Sequence, residues 1–132
     1  MGRRLILDTN VLIEFERGSL GQGSLDEDDL AIAAITVAEY RTGIELADSA
    51  ARAAARSRAL AIIIDTIEVL DYTHATAVHH ASLIAHTRRT GRPRGAHDLV
   101  IAAHALQTGR TLLSRDAEAR FGALPGVAVE AV

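Results

Sequence analysis

Five short apolar runs limit what this chain can fold into. They are Leu5-Ile6-Leu7, Ala31-Ile32-Ala33-Ala34-Ile35, Ile67-Glu68-Val69-Leu70, Thr111-Leu112-Leu113-Ser114 and Val127-Ala128-Val129. Most of them do not alternate strictly between apolar and polar residues, which is the pattern of strands covered on both faces. Helical stretches separate them. Val11 to Arg17 is short, and Thr36 to Ala47 opens with the capping-box pattern Thr36-Val37-Ala38-Glu39. Ser49 to Asp65 is rich in alanine and arginine, both good helix formers. Thr73 to about Thr90 stops at Gly91. Asp98 to Thr108 places Leu99, Ala102, Ala103 and Leu106 on one face and stops at Gly109, and a last turn begins near Asp116. Strands alternating with helices predict an α/β chain: a three-layer α/β/α sandwich around a mostly parallel sheet of four to five strands. With no linker and no repeat, a single domain over residues 1–132 is expected. Residues 18–23, rich in glycine, are expected to be the most flexible loop.

Composition removes several function classes. The chain has no cysteine, so disulfides, thiolate catalysis and cysteine-held zinc are excluded. No apolar run reaches membrane-spanning length, and Leu5-Ile6-Leu7 is too short for a signal-peptide core, so a cytoplasmic protein is expected. A net charge of −3 gives no global basic field. All 14 basic residues are arginine, and Arg88, Arg89, Arg92 and Arg94 cluster in one stretch.

The acids are more informative. Asp8 ends the first strand and Asp116 lies two residues beyond the fourth. Both belong at the carboxyl edge of a parallel sheet, where open α/β folds bind ligands. Glu39 and Asp98 sit in the first turns of crossover helices, which start at that same edge. Two unit charges 4 Å apart repel by about 4 kcal/mol at an effective dielectric near 20. A hard divalent cation would relieve this, and oxygen-only donors suit magnesium or manganese. Taken singly, Asp8, Asp98 and Asp116 read more readily as helix N-caps than as metal ligands, and Glu39 as the far end of its capping box. Asp26-Glu27-Asp28-Asp29 reads as a solvated surface loop.

These residues also form four motifs in order. Leu5-Ile6-Leu7-Asp8-Thr9-Asn10-Val11-Leu12-Ile13 is the first, and Thr36-Val37-Ala38-Glu39-Tyr40-Arg41-Thr42-Gly43 the second. Ala96-His97-Asp98-Leu99-Val100-Ile101-Ala102-Ala103-His104-Ala105 is the third, and Leu112-Leu113-Ser114-Arg115-Asp116 the fourth. Together they resemble the PIN domain, and within it the VapC-type toxins of bacterial toxin–antitoxin pairs, over nearly the whole chain. The resemblance implies a ribonuclease dependent on Mg2+ or Mn2+ that inhibits translation and growth. It makes Asp8 and Asp98 the firmest metal ligands, with Glu39 and Asp116 completing an acidic quartet. Thr9, Asn10 and Ser114 would support the site, and Glu118 takes the place of a further acid. Where many relatives carry asparagine just before the third acid, this chain has Ala96 and His97. The resemblance also implies a small antitoxin that blocks the acidic rim, with an arginine reaching into the carboxylates, and a homodimer.

The chemistry would be phosphodiester hydrolysis by a water that a cation has made acidic, held by a carboxylate. Histidine is not required. His79 and His86, like His97 and His104, are seven residues apart, which is about 10 Å along a helix and too far for one metal. Packing or surface roles are expected for all six histidines, and His97 borders the site. Arg92, Arg94 and Arg115 are candidate phosphate ligands, or else members of a solvated charged loop. RNA recognised partly by shape is the expected substrate, since aromatic residues are too few for much base stacking. Two other readings stand beside this one. A catalytically idle interaction module would need a broken quartet. A haloacid-dehalogenase-type phosphotransferase or a receiver domain would need a second acid at Asn10 or a lysine, and this chain has neither.

Overall fold

The computed structural model describes residues 2–17 and 25–132. Its elements run β1 (Arg4–Leu7), α1 (Thr9–Arg17), β2 (Asp29–Ala33), α2 (Ala34–Glu45), α3 (Ala50–Thr66) and β3 (Glu68–Leu70). They continue with α4 (His74–Thr90), α5 (Ala96–Thr108), β4 (Thr111–Ser114), α6 (Ala117–Phe121) and β5 (Val129–Ala131). The strands form one five-stranded sheet in the order β3-β2-β1-β4-β5, with every neighbouring pair parallel.

The central strands alternate between two cores, as the two-residue period of a strand requires. Leu5 and Leu7 of β1 and Leu113 of β4 face α1, α2 and α3, packing with Leu12, Ile44, Leu60 and Ile63. Ile6 and Leu112 face the other way, onto Leu83 of α4, Ile101 and Ala102 of α5, and Phe121 of α6. Each fully buried leucine or isoleucine contributes roughly 1.5–3 kcal/mol, so β1, the middle strand, is fixed in register by its three apolar side chains. The short side chains of Ala102, Ala103 and Ala105 let the buried α5 lie close to its neighbours.

The two edges of the sheet differ. At the amino edge the buried Arg110 guanidinium donates to the carbonyls of Leu5 (3.2 Å) and Asp29 (2.9 Å) and pairs with Asp29 and Glu68. One side chain thus ties β1, β2 and β3 together. The acids gather at the opposite, carboxyl edge.

Several local expectations change. The second strand begins and ends two residues earlier than its apolar run, because α2 follows β2 without a loop and takes in Ile35 and Thr36. The capping box does not form. Ala33 holds the extended N-cap position, and Thr36 lies fully buried inside the helix. The last strand is Val129–Ala131, two residues later than its apolar run. The acidic run is not wholly solvated either: Asp28 accepts two bonds from the Arg3 side chain and one from its amide, and Asp29 opens β2. Ser49, expected as the first residue of its helix, is instead the N-cap of α3, accepting from the Arg52 amide, and Gly91 and Gly109 end α4 and α5 as expected, in the left-handed conformation. The glycine-rich stretch 18–23 lies outside the described residues.

Candidate active site

Asp8 is the floor of the site. It follows β1 directly, and its amide donates to the Leu113 carbonyl (3.1 Å), so the ladder with β4 sets it beside Ser114. The side chain is fully buried. Oδ1 accepts from the Thr9 amide (2.8 Å) and Oδ2 from Ser114 Oγ (2.8 Å). The Asp8 carbonyl also accepts from the amides of Val11 and Leu12, starting α1. Burial pushes the Asp8 carboxyl above the usual carboxylate range. Hydrogen bonding by Ser114, the charge of Arg120 and the Thr9 amide oppose that rise without cancelling it.

Asp98 lies in the first turn of α5, not at its cap, because the helix begins at Ala96. Gly95 makes room for it: a Cβ there would stand 3.1 Å from Asp98 Oδ2. Asp8 and Asp98 are joined by an arginine. Arg120 Nη1 donates to Asp8 Oδ2 (2.6 Å), Nε to Asp98 Oδ2 (3.1 Å), and Nη2 to Asp98 Oδ1. These bonds, led by those to Asp98, hold the Arg120 guanidinium above its ordinary range. Sequence reasoning missed Arg120. The two contacts span 112 and 22 residues, and the only local signal is its place one helical turn after Asp116.

The other expected residues form a rim. Glu39 is partly buried, its Oε1 has no hydrogen-bond partner among the described residues, and His97 Nδ1 stands 3.7 Å from that oxygen. A cleft of about 240 Å³ lined by Thr9, Ile13, Glu39 and Tyr40 opens beside it. Asp116 is exposed at the N-cap of α6, and its amide donates to Ser114 Oγ (3.2 Å). Ser114 therefore serves two of the acids. Asn10 Oδ1 accepts from the Arg115 amide (3.3 Å), bracing the start of α6 against α1. Glu118 lies exposed on α6, its carboxylate turned toward Gly122. Of the phosphate candidates, Arg115 pairs with Glu14 (2.9 Å), and Arg94 donates to the Gly122 carbonyl (2.8 Å). Arg92 is exposed.

Among the described residues, no three acidic or histidine side chains converge closely enough to form a ready metal cage. The structure instead shows one tight pair, Asp8 and Asp98, with Glu39 and Asp116 flanking it. That pair fits magnesium, which takes one or two carboxylates and keeps several waters. The donors are all hard oxygens, one carboxylate is wholly desolvated, and a cation already bridges the two. Glu39 Oε1, without a hydrogen bond among the described residues, is available to a water.

The chain is similar to known proteins in both sequence and fold. Residues 5–124 match the PIN domain family. The chain is 31% identical over 110 residues to the tRNA(fMet)-specific endonuclease VapC of Salmonella typhimurium, covering 81% of this chain and 78% of that one. It is 32% identical over 123 residues to ribonuclease VapC5 of Mycobacterium tuberculosis, covering 93% and 89%. Its fold superimposes on a chain of the DNA-bound VapBC crystal structure from Salmonella typhimurium with a TM-score of 0.81 at 28% identity, over 99% of this chain and 98% of that one.

Proposed function

This chain belongs to the PIN domain family, and from that premise we propose that it is a metal-dependent endoribonuclease, the toxin of a toxin–antitoxin pair. The observation that carries the reading is the Asp8–Asp98 pair, buried at the carboxyl edge and already bridged by a cation. Similarity to ribonucleases of the VapC type supports RNA as substrate.

Asp8 and Asp98 would hold Mg2+ or Mn2+, which when bound supplies an acidified water and neutralises charge on the phosphoryl group. The chain's own residues do the rest. Ser114 and the Thr9 amide fix the orientation of Asp8. Asp116, at the exposed rim, orients further water. Of the three candidate arginines, exposed Arg92 is the one whose side chain is not engaged among the described residues, so it would be the one to meet a backbone phosphate, whereas Arg94 and Arg115 are occupied.

A partner protein is part of the proposal. The solved neighbours include VapBC assemblies, and a small antitoxin covering the carboxyl edge would silence the site. No described helix is long and apolar enough to cross a membrane. Acting on RNA in the cytoplasm, the protein would inhibit translation and so arrest growth. Homodimerisation completes the picture.

Cleavage of a panel of structured RNAs tests the activity. The wild-type protein should cut with Mg2+ or Mn2+ and stop with EDTA. Asp98→Asn should retain the fold by circular dichroism and lose cleavage. Equal cleavage by the variant, or by the wild type in EDTA, would refute the assignment.

A further inference from the structure

Arg120 occupies the place a metal would need. Its planar fork reaches Asp8 with Nη1 and Asp98 with Nε and Nη2, so three of its five N–H donors are spent on the two acids. Of the four carboxylate oxygens, Asp8 Oδ2 and both oxygens of Asp98 accept from this one group. The remaining one, Asp8 Oδ1, accepts from the Thr9 amide. No oxygen of the pair is without a donor.

We propose that Arg120 is an internal stand-in for the divalent cation, a positioning residue that keeps Asp8 and Asp98 together and must swing away before a metal binds them. The proposal rests on the reading of those two acids as the metal ligands. Two considerations carry it. A guanidinium and a divalent cation cannot both sit on the same three oxygens, because each directs positive charge at the same lone pairs. Nor can the arginine give way by losing its proton, since guanidinium stays charged in proteins. Displacement is the remaining path.

The structure gives it a way out. The Arg120 side chain is 31% exposed, whereas Asp8 is sealed from solvent. In the bridging position its guanidinium carbon also lies 5.3 Å from the centre of the buried Phe121 ring, a contact that outward rotation gives up in exchange for hydration. Arg120 also stands near the end of the five-residue α6, so side-chain rotation alone would release it without moving the sheet.

Arg120 then has two opposed effects. It stabilises the metal-free protein by neutralising one charge of an acidic pair that would otherwise repel. It weakens metal binding, because only molecules with the arginine swung out are competent, and apparent affinity falls by that fraction.

Mn2+ binding followed by electron paramagnetic resonance tests this on metal-stripped wild type, Arg120→Gln and Arg120→Lys. Arg120→Gln should bind Mn2+ about tenfold tighter, as expected if the arginine fills the site in about nine molecules of ten. It should also melt lower than wild type in EDTA, with saturating Mn2+ closing the gap. Arg120→Lys should fall between the two. A merely structural arginine would leave affinity unchanged or reduce it on removal, and either result overturns the proposal while leaving the metal site standing. Absence of Mn2+ binding by wild type and variants alike overturns the metal reading together with the proposal. If Arg120→Gln does not fold, wild type alone decides. The Arg120 Nε–H resonance in a nitrogen-15 spectrum should shift toward that of an exposed arginine on adding Mg2+, and an unmoved resonance at saturation refutes displacement.

Discussion

Ser114→Ala removes one hydroxyl from a buried position and should disturb both stability and chemistry. Ser114 Oγ donates to Asp8 Oδ2 at 2.8 Å and accepts from the Asp116 amide at 3.2 Å. Its side chain is fully buried, so water does not readily replace it. A hydrogen bond to a charged group contributes about 1.5–3 kcal/mol. Asp8 keeps the Thr9 amide and Arg120, which places the expected loss in the lower half of that range. For a chain of this size each kcal/mol lowers Tm by roughly 3–5 °C, giving a fall of about 5–10 °C in metal-free buffer. The same hydroxyl orients a metal ligand, and loss of such a support reduces metal affinity or activity by about 10–100-fold. Differential scanning calorimetry in EDTA measures the first effect, and Mn2+ titration with single-turnover RNA cleavage the second. Metal affinity and cleavage within twofold of wild type would refute the claim that Ser114 positions Asp8.

Two further predictions concern the scaffold. His104 is buried with neither ring nitrogen hydrogen-bonded among the described residues, and burial pushes its pKa below the ordinary 6.5. The unfolded chain therefore takes up its proton first. Stability should be full above about pH 6.5 and decline as the pH falls below it toward the folded value. Urea unfolding from pH 8 to pH 5 should show this decline in wild type and a smaller one in His104→Leu, and identical slopes would contradict the assignment. Arg110→Ala should cost about 2–3 kcal/mol, chiefly from the Leu5 and Asp29 carbonyls it abandons, because its carboxylate partners are half exposed. A loss under about 0.5 kcal/mol in urea unfolding would show that the amino edge does not need its clamp.

Much of this was readable from the sequence because the relevant signals are local. A three- or four-residue apolar run ended by aspartate or serine is enough to place Asp8 and Ser114 at one sheet edge. The errors arose where a local signal has two readings. Ala31 to Ile35 is uniformly apolar, and an apolar run does not mark the point where a strand becomes a buried helix. Thr36 and Glu39 have capping-box spacing, but tertiary packing started α2 two residues earlier and buried the threonine. Arg120 was invisible for a different reason. Its partners are fixed by the packing of α6 against β4 and α5, and an arginine in a chain with 14 of them carries no mark of its own. The quartet of acids was legible as a set. The division into a buried pair and an outer rim depends on distances that only the fold supplies.

Anomalous diffraction from crystals grown with Mn2+ tests the central claim most directly. One strong peak should appear within about 2.2 Å of both an Asp8 and an Asp98 oxygen, the distance expected for a small hard cation. Crystals that leave this position empty, from protein that still cleaves RNA with Mn2+, would contradict the assignment of these two carboxylates as the metal anchor.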